Sequence, residues 1–254
     1  MKSSKTQKYT QKLLIIGFVL FYGYSFGQLK KVTVERFDKV IVSPHIAVNF
    51  VESEFESVNV HSSTESIEKL NIEVVGRTLH LYLDNAKMVT KGEKIKNDKW
   101  KGKRSIYGGT VVTATVAYKK LKELSLRGEE KFVCESPISG PEFRLKVYGE
   151  SEVYLNEVDL DHLITTSYGE SYLELKKGTI GRQKITAYGE SKINTLEVNS
   201  SEVKITAYGE GSYRIAVSDR LKVTAYGEAI VAYEGSPEVD RGIIIGEAEI
   251  QKID

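Results

Sequence analysis

Lys184-Ile185-Thr186-Ala187-Tyr188 alternates polar and apolar residues with a period of two. Lys204-Ile205-Thr206-Ala207-Tyr208 and Lys222-Val223-Thr224-Ala225-Tyr226 repeat it. Such runs, rich in β-branched residues, predict strands with one buried face. Ile185 and Ala187 take the inward parity, so Tyr188 and its copies point outward. Each run closes on one phrase. Tyr-Gly-Glu-Ser stands at 148–151, 168–171 and 188–191, then returns as Tyr208-Gly209-Glu210-Gly211 and Tyr226-Gly227-Glu228-Ala229. The steps between these tyrosines are 20, 20, 20 and 18 residues. Fainter copies flank them, Arg127-Gly128-Glu129-Glu130 before and Ile245-Gly246-Glu247-Ala248 after.

A period of about 20 residues is the length of one turn of a β-solenoid. After each phrase comes a second short alternating run, such as Glu152-Val153-Tyr154-Leu155, and then a third apolar cluster around Leu160, Leu163, Leu196, Val198 or Leu221. One coil cannot bury its inner side chains alone. Coils stacked ~4.8 Å apart pair each strand with its copies above and below and merge the apolar columns into one core. The glycine is the corner device, because a residue with positive φ is cheap only as Gly. The small column of Ser151, Ser171, Ser191, Gly211 and Ala229 suits a corner with little room inside. These features predict an all-β chain whose residues 119–254 form the solenoid.

Residues 28–118 read as a different, still β-rich part. Strands are expected at Val32–Val34, Phe37–Val42, Ile46–Val51, Val58–His61 and Gly109–Tyr118, with a hairpin over Ile72–Leu83 turning at Gly76-Arg77. Ser63 to Leu70 reads as one or two helical turns capped by Ser63 or Thr64. Residues 86–106 interrupt the alternation. Eight basic side chains there face Glu93 and Asp98, a local charge of +6, and the only tryptophan, Trp100, sits among them. One reading is a solvated loop inserted between strands. The other is a contact site for an anionic polymer or membrane surface, made by Lys94, Lys96, Lys99, Trp100, Lys101, Lys103 and Arg104.

The start of the chain reads as a signal peptide over residues 1–27. Lys2, Lys5, Lys8 and Lys12 precede a short apolar stretch, Leu13 to Tyr24, and Ser25-Phe26-Gly27 offers the small residues of a cleavage site before Gln28. Losing those four lysines takes the formal charge from +1 to −3. Such a balance argues against nucleic acid as a partner, and no membrane span is expected after the cut. The lone Cys134 has no intrachain partner and reads as an inert core residue.

In this order the pieces resemble the "putative auto-transporter adhesin head" family, also called the GIN domain, secreted proteins of Gram-negative bacteria. The resemblance rests on the opening Phe37-Asp38-Lys39-Val40-Ile41-Val42 and the Gly76-Arg77-Thr78-Leu79-His80-Leu81 hairpin. It also rests on the glycine-centred repeats and the close Val231-Ala232-Tyr233-Glu234-Gly235-Ser236-Pro237-Glu238-Val239 before Ile245-Gly246-Glu247-Ala248-Glu249-Ile250. The family phrase is usually Ser-Gly-Ser-Gly-Asp-like, and Tyr-Gly-Glu-Ser departs from it. The resemblance implies a right-handed parallel β-helix and an adhesive or cell-envelope role, with a periplasmic, outer-membrane-associated or secreted location. It implies no catalytic residues.

Catalysis has little in the sequence to rest on. Glu150, Glu170, Glu190, Glu210 and Glu228 would lie ~5 Å apart along the stack, near the ~5–5.5 Å carboxylate separation of retaining glycosidases. The row is uniform, however, whereas an active site needs one unequal pair. His45, His61, His80 and His162 show no metal-ligand spacing, and no cofactor is called for. The glutamate row is expected either to be screened by Lys146, Lys184, Lys192, Lys204 and Lys222 or to gather calcium. Tyr148, Tyr168, Tyr188, Tyr208 and Tyr226 form an outward aromatic stripe with two readings. The rings stack on one another, or they present flat faces to sugar rings or another protein. Two function classes follow: a binding or adhesive module for a glycan or envelope protein, and a structural envelope protein that assembles with further copies of itself.

Overall fold

The computed structural model describes residues 29–97 and 100–253. The expected signal peptide lies outside these residues, as do Asp98 and Lys99 of the basic segment. The chain starts with β1 (Lys30–Thr33), β2 (Lys39–Val42), β3 (Ile46–Glu52) and β4 (Ser57–Ser63). A single 3-10 turn, Ile67–Lys69, follows. Ser66 occupies its cap position without a side-chain hydrogen bond, so neither Ser63 nor Thr64 caps it. Next come β5 (Leu70–Val75) and β6 (Thr78–Leu83), the hairpin expected around Gly76, and then β7 (Gly92–Asn97) and β8 (Trp100–Ser105). The basic segment is therefore not an irregular loop. It is a two-stranded antiparallel sheet of its own, pairing Lys94 with Lys103 and Lys96 with Lys101.

The stack proper continues through β9 (Val112–Tyr118), β10 (Glu123–Gly128), β11 (Lys131–Cys134), β12 (Ile138–Gly149), β13 (Glu152–Leu155), β14 (Val158–Tyr168), β15 (Tyr172–Leu175) and β16 (Gly178–Tyr188). Then β17 (Ser191–Glu234) runs unbroken through two repeats, and β18 (Glu238–Lys252) closes the described chain. Parallel pairing carries one face through β6-β2-β10-β12-β14-β16-β17 and another through β9-β3-β11-β13-β15-β17. The result is a β-solenoid of about six coils. Register is strict: Tyr148 pairs with Tyr168, Tyr168 with Tyr188 and Tyr188 with Tyr208.

The stack extends upstream of the repeat. Val40 pairs with Leu124 and Val42 with Leu126, while Val48 and Phe50 pair with Phe132 and Cys134. So β2 and β3 form a coil with the same inward columns as the repeats. Beyond it, β6 and β9 continue both faces, and the antiparallel strands β5, β4 and β1 close that end. The outermost strands there, β1 and β5, are only 4 and 6 residues long, and short edge strands offer another chain little to pair with.

The core is one cluster from Phe37 to Val231. Leu124, Leu145, Thr165, Ile185 and Ile205 fill one inner column, and Phe132, Val153, Leu173 and Ile193 another. Each fully buried aliphatic side chain contributes about 1.5–3 kcal/mol relative to exposure. Cys134 lies in this core, and burial pushes its thiol pKa up, which leaves it protonated and unreactive.

Candidate functional site

The phrase builds an inside and an outside at once. Its glycine takes positive φ, +109° at Gly169. A Cβ there would come within 2.6 Å of the Gly149 carbonyl oxygen one coil below. Conformation and close approach both require glycine. The ladder survives the corner, because Gly169 N–H donates to Tyr188 O and Gly189 N–H to Tyr208 O, each at 2.8 Å.

The serine turns inward. Ser151, Ser171 and Ser191 are buried. Ser151 Oγ donates to Gly128 O at 2.9 Å, Ser191 Oγ donates to Ser167 Oγ at 2.9 Å, and Ser171 bonds Ser167 as well. The small column is thus a polar seam whose hydroxyls are satisfied by the Gly128 carbonyl and by Ser167 beside it, as buried groups must be. The column changes to glycine at Gly211 because Tyr213 folds into the core there. A Cβ on residue 211 would lie 2.5 Å from the Tyr213 hydroxyl.

The tyrosine and the glutamate turn outward. Tyr168, Tyr188 and Tyr208 are 38–40% exposed, and Tyr148 and Tyr226 are half-buried. The five rings form one parallel stack with centroid separations of 5.0, 4.8, 4.8 and 4.9 Å and interplanar angles of 3–4°. Of the two readings of the stripe, stacking is the one the geometry gives. The inner rings turn their faces to one another in an offset stack, so a partner meets ring edges and phenol oxygens rather than open faces.

The two ends of the ladder were not legible as such. The Arg127 guanidinium lies 4.8 Å over the Tyr148 ring and covers the outer face at that end. At the other end Tyr226 is paired with Ile245. The faint copies of the phrase carry both residues, and their equivalence to Tyr148 was the available signal. A second aromatic group was also missed. Tyr154 and Tyr172 lie 5.7 Å apart on the adjoining face, with Lys131 and Lys176 over the Tyr154 ring. Burial raises both phenol pKa values, helped by hydrogen bonds to Glu152 and Glu174. Outward parity in the second run of each repeat was its signal.

Glu150, Glu170, Glu190, Glu210 and Glu228 are all exposed. The expected screening lysines do not reach them. Lys146 pairs with Glu123 at 2.7 Å and Lys222 with Asp240 at 2.8 Å, and no ion pair among the described residues involves this row. Lys146, Lys184, Lys204 and Lys222 stand on the sheet face before the tyrosine and Lys192 on the adjoining face beyond the corner, whereas the glutamates stand at the corner itself. Among the described residues no three His, Cys, Asp or Glu side chains come together as a metal cage. Of the basic segment, Arg104 is exposed; the strands that carry Lys94, Lys96, Trp100, Lys101 and Lys103 pair with each other and join neither face of the stack.

With the arrangement described, its relatives can be considered. A putative adhesin from Parabacteroides merdae is 21% identical, with 89% of this chain and 95% of that chain aligned at a TM-score of 0.64. A putative adhesin from Bacteroides fragilis is 16% identical over 88% and 95%, at a TM-score of 0.69. A putative lipid binding protein from Parabacteroides distasonis is 18% identical over 89% and 96%, at a TM-score of 0.64. At these identities the likeness is one of fold. No curated protein matches the chain. The family model described as "Putative auto-transporter adhesin, head GIN domain" matches residues 36–237, and the chain belongs to that family.

Proposed function

We propose that the chain is a non-catalytic binding module of the cell envelope or cell exterior, which holds a glycan or another envelope protein along the Tyr/Glu stripe. The observation that carries this reading is the outward stack itself. Five parallel rings, 4.8–5.0 Å apart, run beside a row of exposed glutamates. A polymer whose hydroxyl or amide groups recur near the strand spacing meets the same acceptors at every coil, so weak contacts accumulate along the axis. Family membership supports an adhesive role outside the cytoplasm. The name of the P. distasonis relative supports binding rather than turnover.

The test is a glycan array and a cell-envelope pull-down with the purified protein, followed by the triple variant Tyr168→Ala/Tyr188→Ala/Tyr208→Ala. Exposed aromatics at a contact centre carry much of such binding energy. A folded triple variant that loses the captured partner supports the proposal. Unchanged affinity in the folded variant removes the stripe from recognition and leaves it as scaffold, the outcome expected of a purely structural envelope protein.

A further inference from the structure

Four residues before the tyrosine, the same outward face carries Arg144, Lys184, Lys204 and Lys222, a basic column broken only by Ile164. Lys184 stands directly opposite Lys204 on the neighbouring strand. Both border a groove of about 560 Å³ shared with Arg182, Arg220, Lys222 and Ile164. Three of these cations already have an acidic partner. Arg182 pairs with Glu202 at 3.2 Å, and Arg220 and Lys222 pair with Asp240 at 3.1 and 2.8 Å. Lys184 and Lys204 are exposed and have no ion pair among the described residues. Like charges directly opposite one another destabilise a sheet. The fold therefore bears a cost here with no internal return, and such local conflicts mark functional sites.

We propose that this groove is an anion-binding site for a linear acidic polysaccharide, a chain with a carboxylate on successive sugars, lying along the stack axis. Three features select this occupant. Successive strands put cations at the sheet spacing of ~4.8 Å, close to the rise of one sugar in an extended chain, and the flexible lysine stems let Lys184 and Lys204 reach carboxylates on successive sugars. Between the lysines and the tyrosines runs a half-buried column including Thr166, Thr186 and Thr206, whose hydroxyls can donate to or accept from sugar hydroxyls. The groove is also bordered by Glu142 and Glu202. Those carboxylates are themselves paired, with Arg144 at 2.7 Å and Arg182 at 3.2 Å, so the unpaired charge is a narrow strip at Lys184 and Lys204, which fits a single chain better than a flat membrane. The formal charge of the whole chain is only +1, so the attraction is local. The site is separate from the tyrosine stripe and does not depend on it.

The test is calorimetric titration of the protein with polygalacturonate at low salt. Binding is expected, weakening as salt rises. The double variant K184Q/K204Q is expected to lose roughly tenfold or more in affinity, and its melting temperature is expected to hold or rise because the opposed charges are gone. K184R/K204R, which keeps both charges, and K176Q/K192Q, on the adjoining face, are expected to retain binding. The tyrosine triple variant is also expected to retain it, which separates this site from the stripe. The proposal is overturned if the wild type does not bind, if neutral dextran binds as well, or if K176Q/K192Q loses as much as K184Q/K204Q. Equal or tighter binding of single-stranded DNA or anionic vesicles overturns it too, since the groove would then be an unselective basic surface.

Discussion

At the residue scale, the corner glycine is where sequence and structure meet most closely. Its recurrence at coil period announces a turn, and positive φ with the contact to the coil below explains why no other residue serves. Gly169→Ala is expected to cost about 1–2 kcal/mol, read as a lower urea midpoint at unchanged slope. A cost below ~0.5 kcal/mol would mean that the corner relaxes freely. Two buried carboxylates, neither evident from spacing, give opposite pH effects. Burial pushes the Asp38 pKa up, but Arg77 and Lys122, at 2.9 and 3.4 Å, outweigh it and hold it below the ordinary carboxylate range. Its contribution is therefore complete above the unfolded pKa of about 4 and is lost as pH falls through the lower folded value. Asp38→Asn should destabilise the protein at neutral pH and flatten the acid limb of its stability curve. Burial dominates at Glu130 and raises its pKa, against the restraint of the Glu129 and His45 backbone. That group favours the fold when protonated and loses this contribution as pH rises from its unfolded toward its folded value. Glu130→Gln should raise the melting temperature at neutral pH by about 2–4 °C per ~1 kcal/mol gained, with little change near pH 3. Melts across the pH range of both variants check the signs.

At the element scale, the period-two parity placed tyrosine outside and isoleucine inside, and the strands follow it. Parity says which face a side chain takes, but not how a ring tilts against the ring above. Stacking was therefore one of two readings of the stripe, and the 3–4° angles between rings decide for it. The β7–β8 hairpin was hidden for another reason: its sequence is mostly charged, so the segment has no apolar period to read. The stack makes a graded prediction. Tyr188 has ring neighbours 4.8 Å away on both sides, whereas Tyr226 has, among the described residues, a ring neighbour only at 4.9 Å toward Tyr208. At ~0.5–1.5 kcal/mol per aromatic pair, Tyr188→Ala is expected to cost about twice what Tyr226→Ala does in chemical denaturation. Equal costs would show that neighbouring rings contribute little beyond burial.

At the scale of the whole molecule, the repeat was legible and its extent was not. Residues 28–118 carry no Tyr-Gly-Glu phrase, so nothing in their wording joins them to the coils. They join by shape, with the inward residues of β2 and β3 meeting those of β10 and β11 across a long intervening segment. The same limit applies to the site. The Tyr-Gly-Glu phrase announces the phenol and acidic rows, but the basic row lies outside it and follows only from register. The acidic row at the corner, the phenol row beside it and the basic row beyond are properties of the stack rather than of any one coil.

The central claim is that the inward half of the phrase holds the fold while its outward half is free to recognise a partner. Replacing Tyr168, Tyr188 and Tyr208 together by Phe tests it most directly. Phenylalanine keeps the stacked rings and removes only the phenol oxygens that face outward. Melting and partner titration should be measured on the same preparation. The account predicts a melting temperature within a few degrees of wild type and a loss of affinity of about tenfold or more, corresponding to ~1.4 kcal/mol or more. Unchanged affinity with unchanged stability would contradict it, because the outward row would then do no more than the rings beneath it.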